Sequence, residues 1–439
     1  MICLVGDILT DVMLPAYQRK ECKMRLGGIV HAARGLWAAG IEYAVAYFAP
    51  EYLDSQIEFY LPKIGCREIH KIGNVTGCPY TMLIREAKEI GNQGYEFLYR
   101  DCIKIEYFAD EIRSLANYGE LMCISGNYDM DTILKETRID QPIHIDVANN
   151  IRTIDQLSKE RRFSTLFIST SSDLFHSIFN NNIDDFYSQL APYADKIVLK
   201  ENRGGSRGRD TTSNRTYCIP SQTSTIVHSV GVGDVYDVVS VTANYSQFED
   251  RLTLASWISM YYAKTTFPND LKQSIQSILQ VPIDHLKNLS GCILPWEIRN
   301  HCKIYIAAPD FDFMDTKPID VLCESLSYHN FVPRRPVKEI GQMSVNASKE
   351  ERLRLFSGDM SILDDCSMLI AVLLNNDPGT LVEIGLASQR GIPTIVYDPY
   401  RIANNCMLTE LPTKLSFDLD EIISQVFIEY SKLHKNGTI

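Results

Sequence analysis

The sequence predicts an α/β protein of two units, each built on a largely parallel sheet. Three observations predict it. Short apolar runs alternate with longer helical patterns along the whole chain, as in strands joined by helices. Glycine-containing loops at Gly27-Gly28, at residues 231–234 and at Gly379 stand where these patterns hand over to a helix, the place where open α/β sheets bind ligands. The alternation lapses over residues 283–300, which hold Pro295 and mixed charge, and restarts at Lys303. A domain boundary is expected there, with domains at 1–290 and 301–439.

Residues 1–5, 43–48, 121–125, 143–146, 165–169 and 196–199 read as strands, because each is short and apolar. Residues 30–39, 109–116 and 186–194 between them read as helices. Residues 74–100 are more polar and carry turn signals at Gly91-Asn92 and Gly94, which predicts an antiparallel excursion from the main sheet. In the second unit, 303–309, 367–374 and 393–398 read as strands, and 319–328, 381–389 and 419–433 as helices.

The chain has 439 residues, enough for two or three domains with ample core. Apolar residues at 45% and charged residues at 22% are globular values and exclude wholesale disorder. The net charge of −12 argues against a nucleic-acid or anionic-membrane binder, since either partner needs a basic footprint. The 12 cysteines are scattered singly, with no C-x-x-C pair. They read as reduced, buried residues of a cytoplasmic protein, not as a disulfide framework or a zinc site. The opening MICLVGDIL lacks the basic start of a signal peptide and reads as a buried strand. No uncharged apolar run reaches ~18 residues, so no membrane span is expected. The 9 histidines lack metal-ligand spacing, so no metal site is expected from them.

Residues 227–242 read VHSVGVGDVYDVVSVT. Gly231, Val232, Gly233 and Asp234 form a small-residue loop ahead of an apolar helical stretch. Glycines let the backbone approach an anion, and N–H groups at a helix start bind phosphate. An aspartate there can take the proton of a hydroxyl held beside that phosphate. An ordinary turn capped by Asp234 fits the same residues. Leu26-Gly27-Gly28, before an Ala-rich stretch ending at Gly40, reads either as a ligand loop or as a tight turn under a closely packed helix.

With Gly6 and Asp11 after the first strand and VLKENRGGSRG at 198–208, these segments resemble the ribokinase-like (PfkB-type) carbohydrate and nucleoside kinases over about residues 1–290. The resemblance implies a ribokinase-like α/β domain in which Asp11, Gly27 and Gly28 bind sugar hydroxyls. It also implies that Gly231, Val232 and Gly233 hold phosphate, that Asp234 is the base, and that ATP and Mg serve an active kinase. Three departures stand out. Ile29-Val30-His31-Ala32 lies where the family has Asn after its paired glycines. Residues 169–173, Ser-Thr-Ser-Ser-Asp, stand in place of N-x-x-E, and His228 replaces an acid. An active kinase and a kinase fold kept as a binding module both stay open. Arg203, Arg207 and Arg209, among Gly204, Gly205 and Gly208, read as a nucleotide-facing or a mobile loop.

The sharpest motif is DPGTLVEIGLA, residues 377–387, directly after an apolar strand. Thr380-x-x-Glu383 also fits a capping box, in which Glu383 folds back to the helix start. Three features favour chemistry: Asp377 lies close before Glu383, Gly385 and Ala387 keep a helix face small, and Asp359 and Asp365 precede the strand. A glutamate kept ionised by the helix dipole suits attack on a glycosidic carbon, and the leaving base needs a proton source. With KIYIAAPDF at 303–311, the block resembles the nucleoside 2-deoxyribosyltransferases and related deoxynucleotide N-hydrolases over about 301–439.

That resemblance implies a smaller Rossmann-like (flavodoxin-like) parallel-sheet domain that needs no cofactor. It makes Glu383 the nucleophile of a deoxyribosyl-enzyme intermediate, oriented by Tyr305 and assisted by Asp359. Asp377 would contact the base, with Gly379 and Thr380 in the substrate loop, and a homo-oligomer is expected. Arg334-Arg335 reads as a 5′-phosphate contact or as an exposed turn. The expected function is cleavage or transfer of the N-glycosidic bond of a 2′-deoxynucleoside or its 5′-monophosphate. The alternatives are a sugar or nucleoside kinase using Asp234 and a non-catalytic nucleotide-sensing protein.

Overall fold

Uninterrupted aliphatic runs form strands covered on both faces, as parallel sheets require. Ile2–Asp7 and Tyr43–Ala49 are buried at every residue and pair in parallel. The computed structural model describes residues 1–15, 22–148, 150–158 and 161–435. These fall into two compact units: Met1–Lys88 with Gln93–Ile293, and Glu89–Asn92 with Leu294–Ile439.

The first unit holds a 10-stranded sheet. From one edge its order is Arg215–Ile219, Ser206–Asp210, Lys196–Lys200, Thr165–Ser169, Ile143–Asp146, Glu120–Ile124, Ile2–Asp7, Tyr43–Ala49, Cys66–Thr76 and Lys104–Tyr107. The interior pairings are parallel, and antiparallel strands close both edges. Helices Val30–Ala39, Val232–Thr242 and Phe248–Lys264 share one core through Leu36, Val235, Val239 and Ile258. A separate 4-stranded sheet joins Lys23–Leu26, Thr10–Met13, Thr81–Ile84 and Glu96–Phe97. Its Thr81–Ile84 and Glu96–Phe97 pair antiparallel, which is the excursion expected within 74–100.

Some elements differ from expectation. The helix expected at 186–194 spans Ile183–Leu190, because the Asn182 side chain accepts the N–H groups of Asp184 and Asp185 and starts it earlier. Residues 203–209 are not a mobile loop. Ser206–Asp210 is a strand between Lys196–Lys200 and Arg215–Ile219. Arg207 is buried in a two-pronged pair with Glu201, with both contacts at 2.8 Å.

The second unit is a 5-stranded sheet, all parallel, in the order Val332–Arg334, Lys303–Ala307, Met368–Val372, Thr394–Tyr397, Lys414–Ser416. Numbered along the chain this is the 2-1-3-4-5 order of flavodoxin-like sheets. Their ligands bind where the order reverses, between the first and third strands. Here that point lies between Lys303–Ala307 and Met368–Val372. The 12 cysteines are free and 7 of them are buried. No helix among the described residues is long and apolar enough to cross a membrane.

Candidate active site

Tyr305 lies mid-strand in Lys303–Ala307 and is fully buried. Glu383 lies in the second turn of the helix Pro378–Gln389, which follows Met368–Val372 across the switch point. The helix starts there because Pro378 suits its first turn and Asp377 caps it. The Asp377 carboxylate accepts from the Thr380 N–H at 2.8 Å and from the Thr380 hydroxyl at 3.0 Å. With that donor taken, Glu383 does not close a capping box. Its carboxylate instead accepts the Tyr305 hydroxyl at 2.5 Å.

Burial pushes the Glu383 carboxyl up to about 7, the Tyr305 bond pulls it down, and the charges of Asp359 and Asp377 raise it further. Asp359 is on the helix Lys349–Asp364, makes no hydrogen bond or ion pair among the described residues, and is itself raised by burial. Glu383, Tyr305, Asp359 and Asp377 therefore come together. Gly379 is exposed at the helix start and Thr380 is buried against Asp377. A side chain at Gly385 would meet nothing within 4 Å, so that face is open, whereas Ala387 belongs to the core. Asp365 does not join the acids. It holds Lys303 at 2.8 Å and Arg334 at 2.9 Å. Arg334 also grips Glu339, and Arg335 grips Asp310 and Asp320, both at 2.7 Å. Both arginines are spent on ion pairs.

Residues 304–415 match the nucleoside 2-deoxyribosyltransferase family. The matched segment contains all four grouped residues. No curated protein is similar to the chain in sequence. The first unit has a ribokinase-like fold. It is similar to an E. coli structure described as a ribokinase II in its apo form, at 11% identity and a TM-score of 0.50, over 64% of this chain and 98% of that one. A Thermotoga maritima ribokinase is similar at 13% identity and 0.47, over 64% and 99%. A Burkholderia thailandensis nucleoside kinase in complex with inosine is similar at 10% and 0.47, over 64% and 96%.

In the ribokinase-like unit the glycine loops enclose protein side chains. Gly27 lies against the Asp11 carboxylate, where an added Cβ would sit 2.2 Å from Oδ1. Gly28, at φ +61°, lies against the Asp7 carbonyl. Gly231, at φ +82°, lies against the His31 ring, and a Cβ there would be 2.2 Å from Cγ. Asp11 and His31 are both buried, with Nε2 of His31 at 2.8 Å from Asp11 Oδ2 and its Nδ1 at 2.7 Å from the Tyr262 hydroxyl. Burial drives His31 down to about 3, so it is neutral. Its Nε2–H then donates to Asp11 and its Nδ1 accepts from Tyr262. Val232 opens the helix, and its N–H donates to Ser229 at 3.1 Å.

Asp234, in the helix's first turn, has no hydrogen-bond partner among the described residues. Burial and the Asp146 charge push it up to about 7. Gly233 lies beside Lys200, whose ammonium bridges Asp146 at 2.8 Å and Asp237 at 2.6 Å. A magnesium site does not fit these residues. The two carboxylates hold an ammonium, Asp173 pairs with Arg152, and no cluster of three or more acids, histidines or cysteines among the described residues suits a metal. Lys200 and Tyr262 were not singled out from the sequence. The available signal was a lysine ending a buried strand, Lys196–Lys200.

Proposed function

We propose that residues 301–439 cleave or transfer the N-glycosidic bond of a 2′-deoxynucleoside, with Glu383 as nucleophile. The observation that carries this reading is the Tyr305–Glu383 bond at 2.5 Å, made while Asp377 caps the helix. It frees Glu383 from a structural role and aims it at the switch point. Ionised Glu383 attacks the sugar carbon and the C–N bond breaks to give a glycosyl-enzyme. Water or a second base then displaces the glutamate. Asp359, raised by burial, supplies the leaving base with a proton. Pairing of Arg334 and Arg335 with acids favours an uncharged nucleoside over its 5′-monophosphate.

The domain works as a homo-oligomer. Leu353 and Phe356, on the Asp359 helix, and Val382 beside Glu383 are exposed apolar groups that support this. Free cysteines support a cytoplasmic location. To test the activity, the protein is incubated with deoxynucleosides, with and without a second base, and the products are separated by chromatography. Glu383→Ala must abolish base release and exchange. Unchanged release overturns the proposal.

A second reading, that residues 1–290 phosphorylate a sugar or nucleoside through Asp234, is favoured by that carboxyl's unbonded state and its position near 7. The His31–Asp11 bond occupies the carboxylate that would hold the sugar. ATP consumption over a sugar and nucleoside panel, lost in Asp234→Asn, supports a kinase. No consumption supports a binding module.

A further inference from the structure

Most cysteines are buried, but Cys78 is half-buried and Cys102 is exposed. The two lie on opposite arms of one interrupted hairpin in the first unit. Its outer ladder pairs Cys66–Thr76 with Lys104–Tyr107, antiparallel, with Val75 opposite Ile105 and Thr76 opposite Lys104. Its inner ladder pairs Thr81–Ile84 with Glu96–Phe97, and the Leu98 N–H donates to the Thr81 carbonyl at 3.0 Å. Between the ladders, residues 77–80 run against residues 99–103. Two steps past Thr76 and Lys104, the register brings Cys78 opposite Cys102. The arms stay close there, since a Cβ added at Gly77 would sit 2.0 Å from the Cys102 carbonyl oxygen. Opposed residues of antiparallel strands have Cα atoms ~4.5–5.5 Å apart, inside the ~4.4–6.8 Å span of a disulfide.

This interruption is a bend that joins the edge of the 10-stranded sheet to the small sheet. Tyr80 and Tyr99, one on each arm, hold positive φ values of 46° and 54°, which side-chain-bearing residues rarely adopt. Tyr80 is buried, its carbonyl accepts the Thr10 N–H at 3.1 Å, and its ring meets Phe97 edge-on at 5.4 Å. The Pro79 carbonyl accepts the Tyr52 hydroxyl and, at 2.9 Å, the Thr81 hydroxyl. The arm of Cys78 is therefore tied to the small sheet on both sides of its bend. Burial raises the Cys78 thiol, a bond from the Tyr80 N–H lowers it, and the charges of Cys102 and Asp7 raise it further. A thiolate at Cys102 is thus felt at Cys78.

We propose that Cys78 and Cys102 form a reversible modification site, in which a small-molecule disulfide converts the two thiols into a bond across this bend. Exposure sets the order of events, because the accessible thiolate is the one that meets the reagent. The Cys102 thiolate attacks one sulfur of the small disulfide, giving a mixed disulfide and releasing one small thiol. The Cys78 thiolate then attacks the Cys102 sulfur and releases the second. The two protein thiols are oxidised, the small disulfide is reduced to two thiols, and the two cysteine protons end on those thiols. The new bond staples the small sheet to the edge of the large one. A dithiol reverses it by the same exchange.

The test treats the folded full chain with glutathione disulfide, digests it without reduction and maps the peptides by mass spectrometry. A linked pair of peptides holding Cys78 and Cys102 is expected as the main intramolecular product. Cys78→Ser should leave glutathione on Cys102, because the second attack is lost, and Cys102→Ser should leave Cys78 unlinked. Amide exchange at Thr81–Ile84 should slow about tenfold on oxidation of the unmodified sequence. Dithiothreitol should restore the original exchange, and Cys102→Ser should show no slowing. Absence of the linked pair, glutathione persisting on Cys102 with Cys78 present, or preferred pairing of either cysteine with a third overturns the proposal. So does a linked pair that leaves exchange at Thr81–Ile84 unchanged.

Discussion

Replacing Glu383 with Gln separates charge from shape. The wild-type carboxyl is raised from 4.5 to about 7, chiefly by burial and with help from Asp359 and Asp377. At ~1.4 kcal/mol per tenfold change in proton affinity, holding the ionised group in the fold costs about 3 kcal/mol. The folded pKa lies above the unfolded one, so the proton stabilises the native state. That contribution is complete below about pH 4.5 and is lost as pH rises through about 7. Gln keeps the shape, still accepts the Tyr305 hydroxyl and carries no charge. Its stability advantage is therefore small near pH 5 and reaches about 1–3 kcal/mol at pH 8, the lower figure allowing for solvent at a half-buried group. Native-state hydrogen exchange at the core strand Met368–Val372, corrected for intrinsic exchange, reads this directly. Protection should rise ~10–100-fold at pH 8 and barely at pH 5, while base release falls to background. Equal protection at pH 8, or the same gain at both pH values, would refute a caged carboxylate.

Tyr305→Phe removes the bond that lowers Glu383, so the acidic limb of the pH–rate profile moves above about 7 and the rate at pH 6.5 falls about tenfold. Asp377→Ala removes the helix cap and costs about 1 kcal/mol in urea unfolding; losing its charge also moves the same limb to lower pH. Gly231→Ala strains a positive φ and drives a methyl into His31, costing roughly 2–4 kcal/mol, of which His31→Ala restores part. If His31→Ala restores nothing, Gly231 does not serve to seat that ring. Phe356→Glu lowers the oligomeric state in sedimentation if the exposed Lys349–Asp364 face is an interface.

Much of the fold was legible in the sequence because its cues are local. The unbroken apolar run at Met368–Val372 and the Asp-Pro-Gly after it specify a buried strand and a helix start within a few residues. The small residues of the loops were equally visible, but not what they make room for. Gly27 and Gly231 look alike as phosphate or sugar loops and as packing positions, and the neighbours against them, Asp11 and His31, arrive from other segments. The hairpin partner of Lys196–Lys200 was obscured by Arg207, a charge that reads as surface until Glu201 is seen beside it.

By itself the sequence determined the two α/β patterns, the helix that carries Glu383 and the acids that accompany it, since periodicity, caps and glycines act between near neighbours. Only the tertiary structure decided which partner each charged group takes. Asp377 and Glu383 compete for one N–H at the helix start, and the outcome turns on a tyrosine 78 residues away in sequence from Glu383. Arg334 and Arg335 likewise became parts of ion pairs, and Asp11 became the partner of His31. Burial and pairing set the free energy of a charge, and both depend on which segments the sheet brings side by side.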